Sequence, residues 1–277
     1  MKVLFCLCAW LSALVILLIV AFLVTQSLPA FREIGISGLL LGEVWKPTQG
    51  LYGLLPMIAG TLAVTGLALL LGAPLGILTA MFMAYFCPIR LRRIMRTVIS
   101  VMAGIPSVVY GFFGLTVMVP SIRMEFGGFG MCVLTAGVLL GIMIVPTIAE
   151  LSLSSIENVP AFCYEGSLAL GATKERSVFS SVLPAAKKGV ATAVVLGLGR
   201  AVGETMAVMM VAGNQPVFPN SLLSGVRTLT ANIALEMGYA ADLHRQALIA
   251  SAVVLLVMVL AIIALLMYIR RKDETHA

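Results

Sequence analysis

Two ionisable residues interrupt the apolar stretch Gly197-Leu-Gly-Arg-Ala-Val-Gly-Glu-Thr-Met-Ala-Val-Met-Met-Val-Ala-Gly-Asn214, namely Arg200 and Glu204. A charge at the centre of a membrane helix costs about 2.5–3.5 kcal/mol on insertion scales, so such residues pair or face a polar pathway. In a continuous helix their spacing places both side chains on one face, where they can form an ion pair. A planar guanidinium also suits a tetrahedral oxyanion. We therefore expect Arg200 to contact an anion and Glu204 to hold the arginine when no anion is bound, with a purely structural ion pair as the alternative.

The composition indicates an integral membrane protein. Hydrophobic residues make up 61% of the 277 positions and charged residues only 11%, which excludes an ordinary soluble enzyme and a disordered chain. The formal net charge of +6 does not indicate nucleic-acid binding, because the basic residues are scattered through short loops. Six apolar runs are long enough to span a bilayer, near 3–24, 54–86, 97–120, 129–150, 184–213 and 247–269.

The loops between these runs predict the orientation of the chain. Most Lys and Arg residues outside the runs lie at the two termini, in 87–96 and in the loop before the fifth run. The positive-inside rule then places both termini in the cytoplasm. We interpret the first run as a retained anchor helix, since it is longer than the apolar part of a signal peptide and no A-x-A site follows.

Other residue patterns have structural explanations. The pairs Gly72-xxx-Gly76, Gly137-xxx-Gly141 and Gly199-xxx-Gly203 predict close helix packing. The five cysteines are dispersed, which argues against a disulfide framework or a zinc site. His244 and His276 have no partners at catalytic or metal-ligand spacing, so we expect solvated or interfacial positions for both. No P-loop motif is present, and we expect neither catalysis nor ATP binding on this chain.

The polar loop from Leu151 to Lys188 contains a short helix around Glu165 and Gly171, followed by Leu183 and Pro184. A short helix fixed between two spans can transmit the motion of a partner to both spans; an ordinary interfacial loop helix is the alternative. The spacing resembles the EAA loop of ATP-binding-cassette (ABC) importer permeases, Glu-Ala-Ala, three residues, Gly, nine residues and Ile-x-Leu-Pro. The chain departs from that pattern where Gly166 and Ser167 replace the two alanines, and where Ser181 replaces the isoleucine.

Further stretches resemble the PstC-type permeases of bacterial phosphate ABC importers, a type I ABC transmembrane family. They are the Arg200–Glu204 run, Pro56-Met-Ile-Ala-Gly-Thr-Leu62, Ala103-Gly-Ile-Pro-Ser-Val-Val-Tyr-Gly-Phe-Phe-Gly114 and Arg227-Thr-Leu-Thr-Ala-Asn-Ile-Ala-Leu-Glu-Met-Gly-Tyr239. The resemblance implies an all-α polytopic protein with about six transmembrane helices and the type I ABC importer permease fold. It divides the chain into an anchor and extracytoplasmic loop (1–53), a permease domain (54–270) containing the EAA loop (about 152–188), and a cytoplasmic tail (271–277).

The resemblance also implies partners in a bacterial cytoplasmic membrane. These are a homologous PstA-type permease, a PstB-type ATPase dimer that holds ATP and Mg, and a PstS-type binding protein that delivers phosphate. Glu165, Gly166, Ser167, Gly171, Leu183 and Pro184 then form the ATPase-coupling segment, while this chain itself holds no cofactor or metal. One arginine does not distinguish tetrahedral oxyanions, so a permease for molybdate, sulfate or phosphonate is an alternative. An ATP-independent channel or secondary transporter is another, although no inverted repeat is evident.

Overall fold

The computed structural model describes the backbone of residues 1–275 and their side chains except those of Val3 and of residues 269–277. Most of this part is helical. In chain order the elements are α1 (Lys2–Glu33), α2 (Ile36–Leu41), β1 (Trp45–Lys46), β2 (Leu51–Tyr52), α3 (Leu55–Met81), α4 (Ile89–Gly104), α5 (Ser107–Phe113), α6 (Val119–Phe126), α7 (Val133–Glu157), α8 (Ala161–Ala169), α9 (Lys174–Ser177), α10 (Leu183–Ala185), α11 (Lys187–Gly203), α12 (Met206–Val211), α13 (Leu229–Glu236) and α14 (Asp242–Thr275). π-Helical turns extend α3 through Phe82–Phe86, join α5 to α6 through Gly114–Met118 and join α9 to α10 through Val178–Val182. A short 3-10 turn, Pro47–Gln49, connects the two antiparallel strands.

Five helical segments are long and apolar enough to cross a membrane: Leu4–Glu33, Leu55–Phe86, Ser107–Phe126, Val133–Glu157 and Asp242–Tyr268. A sixth is formed by Lys174–Ala185 and Lys187–Gly203 if the two are counted as one span, although they are bent by 75° relative to each other. The expected all-α architecture with about six transmembrane helices is therefore confirmed.

The third span differs from its predicted range of 97–120. Helix α4 ends at Gly104, Ile105 is extended with φ −66° and ψ 127°, and the span itself runs from Ser107 to Phe126. Pro106 accounts for the break, because proline disfavours helical geometry in the residue before it and supplies no backbone N–H. The segment before the break is a separate amphipathic helix that carries the arginines of the predicted loop.

The fifth span also differs from its predicted range of 184–213. The chain bends at Ala186, so Pro184 lies before the spanning helix and α11 begins at Lys187. At its other end α11 stops at Gly203, Glu204 is extended with φ −68° and ψ 128°, and α12 resumes at Met206. The continuous helix that the apolar pattern predicted is therefore broken twice.

Helices α3 and α7 form the centre of the bundle and run parallel to each other. A Cβ atom at Gly72 would lie 2.6 Å from Ile144, and one at Gly76 would lie 2.8 Å from Ile148, so only glycine allows this approach. Gly137 of α7 faces Leu67 of α3 in the same way. The packing role predicted for these glycines is confirmed.

Helix α11 packs antiparallel against α7, with Gly189 facing Ser155 and Gly197 facing Ile148. A Cβ atom at Gly199 or Gly203 would have no atom of a described neighbour within 4 Å. The packing role predicted for this pair is therefore wrong within the described chain. The difference arises because helix α11 turns the face carrying these two glycines away from α7.

The parallel arrangement gives the bundle two ends. We call the end that carries the β1–β2 hairpin and residues 213–241 the hairpin end, and the end that carries α4 and residues 158–186 the arginine end. At the arginine end, Arg92 and Arg96 of α4 form ion pairs with Glu157 in the last turn of α7. At the hairpin end, helix α13 packs against α3 and α14.

Candidate transport site and coupling segment

Arg200 lies in the last turn of α11 and is half-buried. Its Nη1 atom donates a hydrogen bond of 3.0 Å to Oγ1 of Thr147, which follows Pro146 in the middle of α7. Arg200 also interacts electrostatically with the phenol of Tyr110, whose hydroxyl donates a hydrogen bond of 3.0 Å to the carbonyl of Met102. The guanidinium therefore lies against α7 and near α5.

Glu204 does not pair with Arg200, and the predicted ion pair is wrong. Because α11 ends at Gly203, the two side chains are not held on one helical face. The Oε1 atom of Glu204 instead accepts a hydrogen bond of 3.1 Å from the backbone N–H of Ala207, which satisfies a free donor in the first turn of α12. The backbone carbonyl of Glu204 accepts another, of 3.1 Å, from the hydroxyl of Thr230.

The charge of Arg200 is consequently available for an additional ligand. Among the described residues its one hydrogen-bond partner is neutral, and no carboxylate lies within ion-pair distance of it. A guanidinium has five N–H donors, and a single hydroxyl satisfies only one of them. The arrangement is chemically suited to an anion that approaches the end of α11.

Glu165, Gly166 and Ser167 all lie within α8, between the spanning helices α7 and α11. Glu165 and Gly166 are exposed, and α8 has no buried residue. The side chain of Glu165 makes no hydrogen bond or ion pair with any described residue. Two apolar side chains near this helix are also strongly exposed, Phe162 at 72% and Leu170 at 91%. More than half of the residues of α8 are therefore exposed, with little contact to the described part of the chain.

Gly171 ends this helix in the left-handed conformation, with φ +87°. Its N–H donates to the carbonyl of Leu168 and the following N–H donates to that of Ser167, which satisfies carbonyls at the end of the helix. Thr173 then caps α9 by accepting from the N–H of Arg176. Local structure thus explains why glycine stands at position 171, because glycine is favoured in the left-handed turn that ends α8.

The rest of the coupling segment is fixed to the bundle. Val178 and Val182 are fully buried against Met83 and Ile156 at the ends of α3 and α7. The ring of Tyr164, on α8, lies 4.6 Å from that of Tyr85. Leu183 packs partly against the same cluster, whereas Pro184 is exposed. The segment therefore has a fixed inner side and a free outer side.

A buried polar network at the hairpin end was not predicted. The carboxylate of Glu236 lies 2.6 Å from Nη1 of Arg227, accepts a hydrogen bond of 2.9 Å from Nε1 of Trp45 and lies 2.8 Å from Nε2 of His244. Of the two positions expected for His244, solvated or interfacial, the solvated one is wrong, because its side chain is only 15% exposed; His276 lies outside the described residues. Burial also raises the pKa of the neighbouring phenol of Tyr52. The sequence signal for this network was Glu236 itself, an acidic residue in an apolar stretch.

The chain is similar to known transport proteins over most of its length. Residues 72–272 match the family model described as "Binding-protein-dependent transport system inner membrane component". The chain is 40% identical over 274 residues to the "Probable ABC transporter permease protein YqgH" of Bacillus subtilis (strain 168), with 96% of this chain and 89% of that protein covered. It is 34% identical to the "Phosphate transport system permease protein PstC" of Haemophilus influenzae, with 92% and 88% covered.

Solved structures show the same fold. A bacterial ABC transporter involved in the import of the acidic polysaccharide alginate has a TM-score of 0.64 at 16% identity, with 95% of each chain covered. The MetNI methionine ABC transporter has a TM-score of 0.56 at 20% identity, with 80% of this chain and 99% of that chain covered. The chain belongs to the binding-protein-dependent transport system inner membrane component family and has the fold of ABC importer permeases.

Proposed function

We propose that this chain is a permease subunit of an ATP-driven importer that moves inorganic phosphate across the cytoplasmic membrane. The observation that carries the proposal is Arg200, a half-buried guanidinium with a neutral partner and no carboxylate near it among the described residues. Relatives that are named phosphate transport permeases, such as PstC of Pasteurella multocida at 35% identity over 91% of this chain, support phosphate as the anion. In this proposal Arg200 contacts phosphate by charge-assisted hydrogen bonds.

In the proposed mechanism, Glu204 acts on the position of Arg200 rather than on its charge. Its side chain caps α12 and its carbonyl accepts from Thr230, so it fixes the break directly after the helix that presents Arg200. This positioning role takes the place of the neutralising role that the spacing of the two residues predicted. A second, homologous permease of PstA type supplies the other side of the pathway.

Coupling to ATP hydrolysis takes place through α8 and the following turn. The free outer side of α8, with Glu165 and Gly166, docks on a separate cytoplasmic ATPase of PstB type, which holds ATP and Mg. The fixed inner side passes the motion to the ends of α3, α7 and α11, because Val178 and Val182 are buried among them. This chain then needs no cofactor of its own and hydrolyses no ATP.

The same proposal fixes the orientation in the membrane. The arginine end, which carries α4 and α8, faces the cytoplasm, and the hairpin end faces a phosphate-binding protein of PstS type. Both termini are then cytoplasmic. A C-terminal fluorescent-protein fusion should be fluorescent and a C-terminal alkaline phosphatase fusion inactive, and the opposite result would reverse the orientation.

The function is tested by uptake of radiolabelled phosphate in phosphate-starved cells that lack this gene and other high-affinity phosphate systems. Expression of the chain should restore uptake only together with an intact partner ATPase, and excess sulfate or molybdate should not compete. Restored uptake with an ATPase that cannot hydrolyse ATP would indicate a channel or secondary transporter. Unchanged phosphate uptake, with uptake of another oxyanion restored, would assign that oxyanion instead.

A further inference from the structure

The four arginines of α4 fall into two sets. Arg92 and Arg96 contact Glu157, with Nη2 of Arg96 2.6 Å from Oε1 and 2.7 Å from Oε2. Arg90 and Arg93 are exposed, and their side chains form no hydrogen bond or ion pair with any residue that the structure describes. Arg90 and Arg93 therefore lie on one turn of α4 with no counter-charge in the described part of the chain, although the rest of α4 is anchored to Glu157.

Helix α4 changes from charged to apolar along its length. Its first half carries all four arginines together with exposed apolar residues such as Ile94, which is 60% exposed. Its second half carries no charge and exposes Val98 at 50% and Val101 at 60%. Exposed aliphatic residues of an integral membrane protein are stable against lipid chains, and arginines on such a helix extend to the level of the headgroups. This gradient places Arg90 and Arg93 at a membrane surface.

A groove at this level is lined by Arg92, Arg93, Arg96 and Ile89 and has a volume of about 320 Å³. The Nε atom of Arg92 is buried and has no hydrogen-bond acceptor among the described residues. A buried donor without an acceptor is costly, so an acceptor supplied by a ligand would remove this cost. The groove itself is lined by three arginines and no acidic residue, and Glu157 forms ion pairs with only two of them, Arg92 and Arg96.

We propose that Arg90, Arg93 and this groove form a binding site for the headgroup of an anionic phospholipid. The phosphodiester accepts hydrogen bonds from the guanidinium groups, and its chains lie along Ile94, Val98 and Val101. Basic pockets beside transmembrane helices on the cytoplasmic side are suited to such headgroups. The site is independent of the transported anion, because it lies at the arginine end whereas Arg200 lies near the opposite end of α11.

The site is tested by native mass spectrometry of the full chain, co-purified with its partner permease, in micelles that contain phosphatidylglycerol and phosphatidylethanolamine. The wild-type complex should retain phosphatidylglycerol in preference to phosphatidylethanolamine. The double variant Arg90→Gln/Arg93→Gln should lose this preference by about tenfold or more. Arg92 and Arg96 stay unchanged in the test because they hold α4 to Glu157.

Arg123→Gln is the matched control, since Arg123 is also an exposed helical arginine but lies in α6, on the other side of the Pro106 break. It should retain the full preference, and the single variant Arg93→Gln should show an intermediate loss. Three results would overturn the proposal: full lipid preference in the double variant, an equal loss in Arg123→Gln, or displacement of the lipid by millimolar inorganic phosphate. If the first of these results is accompanied by loss of ATPase co-purification, the arginines form a protein interface instead.

Discussion

Arg200 and Glu204 illustrate what a charged residue does at a helix end inside a membrane protein. In a continuous helix they would neutralise each other, but the break after Gly203 gives each a separate partner. Arg200 keeps its charge available beside a threonine hydroxyl, and Glu204 satisfies a backbone donor. The break therefore leaves Arg200 as a cation that no described carboxylate neutralises, held in position by Thr147.

Arg200→Gln should reduce phosphate uptake about ten- to a hundredfold, because it removes a charge-assisted contact of about 1.5–3 kcal/mol. The amount of protein in the membrane should not change, since the glutamine amide can still donate to Thr147. Radiolabelled uptake and immunoblotting of membranes measure the two quantities. Arg200→Lys is the control for charge and should retain more activity than the glutamine variant. Normal uptake by Arg200→Gln would show that the anion-contact hypothesis is wrong.

Glu236→Ala should destabilise the protein by about 3–5 kcal/mol, since it leaves Arg227 partly buried without its counter-charge. It also removes the acceptor for Trp45, which joins the hairpin to α13. A decrease in the thermal unfolding temperature in detergent measures the effect. Glu43→Ala is the control, because Glu43 is exposed and forms no hydrogen bond or ion pair with the described residues. Equal unfolding temperatures for the two variants would contradict a stabilising role for the network.

At the scale of elements, α8 combines a rigid attachment with a free surface. The cluster around Val178 and Val182 attaches the segment to the bundle, and the bend at Ala186 directs it away from the axis of α11. Gly171 sets the direction in which the chain leaves α8, since its φ of +87° is strained for other residues. A displacement of α8 therefore reaches both neighbouring spans.

Gly171→Glu should decrease co-purification of the partner ATPase and uptake together, because a glutamate adds left-handed strain and a charge at the docking surface. Gly166→Ala is the matched control. Gly166 lies inside α8, a Cβ there meets nothing within 4 Å, and alanine should favour the helix by up to about 1 kcal/mol. Affinity purification followed by an ATPase immunoblot measures the association. Unreduced ATPase recovery with Gly171→Glu would count against α8 as the coupling element.

At the scale of the whole molecule, the parallel pair α3 and α7 supports both ends of the transporter. Gly72 and Gly76 let α7 approach closely, so Thr147 is held at a defined distance from α11 and Arg200. The ends of the same two helices hold the coupling cluster at the arginine end. The proposed substrate site and the proposed coupling segment thus contact the same pair of closely packed helices.

Gly72→Val should destabilise the bundle by about 1–3 kcal/mol through overpacking, since its Cβ would contact Ile144 and the carbonyl of Gly141 at less than van der Waals distance. Gly66→Val is the control within the same helix, because Gly66 is exposed and has open space around its Cβ position. Thermal unfolding in detergent distinguishes them. Similar unfolding temperatures for the two variants would show that the α3–α7 contact is less tightly packed than the structure indicates.

Local patterns in the sequence determined several features. The apolar runs predicted the spans, because hydrophobicity over about 20 residues is a local property. The interval from Glu165 to Gly171 predicted a short helix that ends in a glycine turn, which depends only on neighbouring residues. The break at Glu204 was missed, since the surrounding residues are as apolar as those of a continuous helix.

The partners of the charged residues were decided only by the tertiary structure. Arg200 donates a hydrogen bond to Thr147, which is 53 positions away in the sequence, and Glu236 accepts one from Trp45, which is 191 positions away. No spacing rule connects residues so far apart, because their distance depends on how the spans pack and where the helices break. The sequence by itself therefore determined the class of protein and predicted the short helix of the proposed coupling segment. The tertiary structure decided that Arg200 pairs with a hydroxyl and with no described carboxylate, because only packing brings Thr147 of another helix to it.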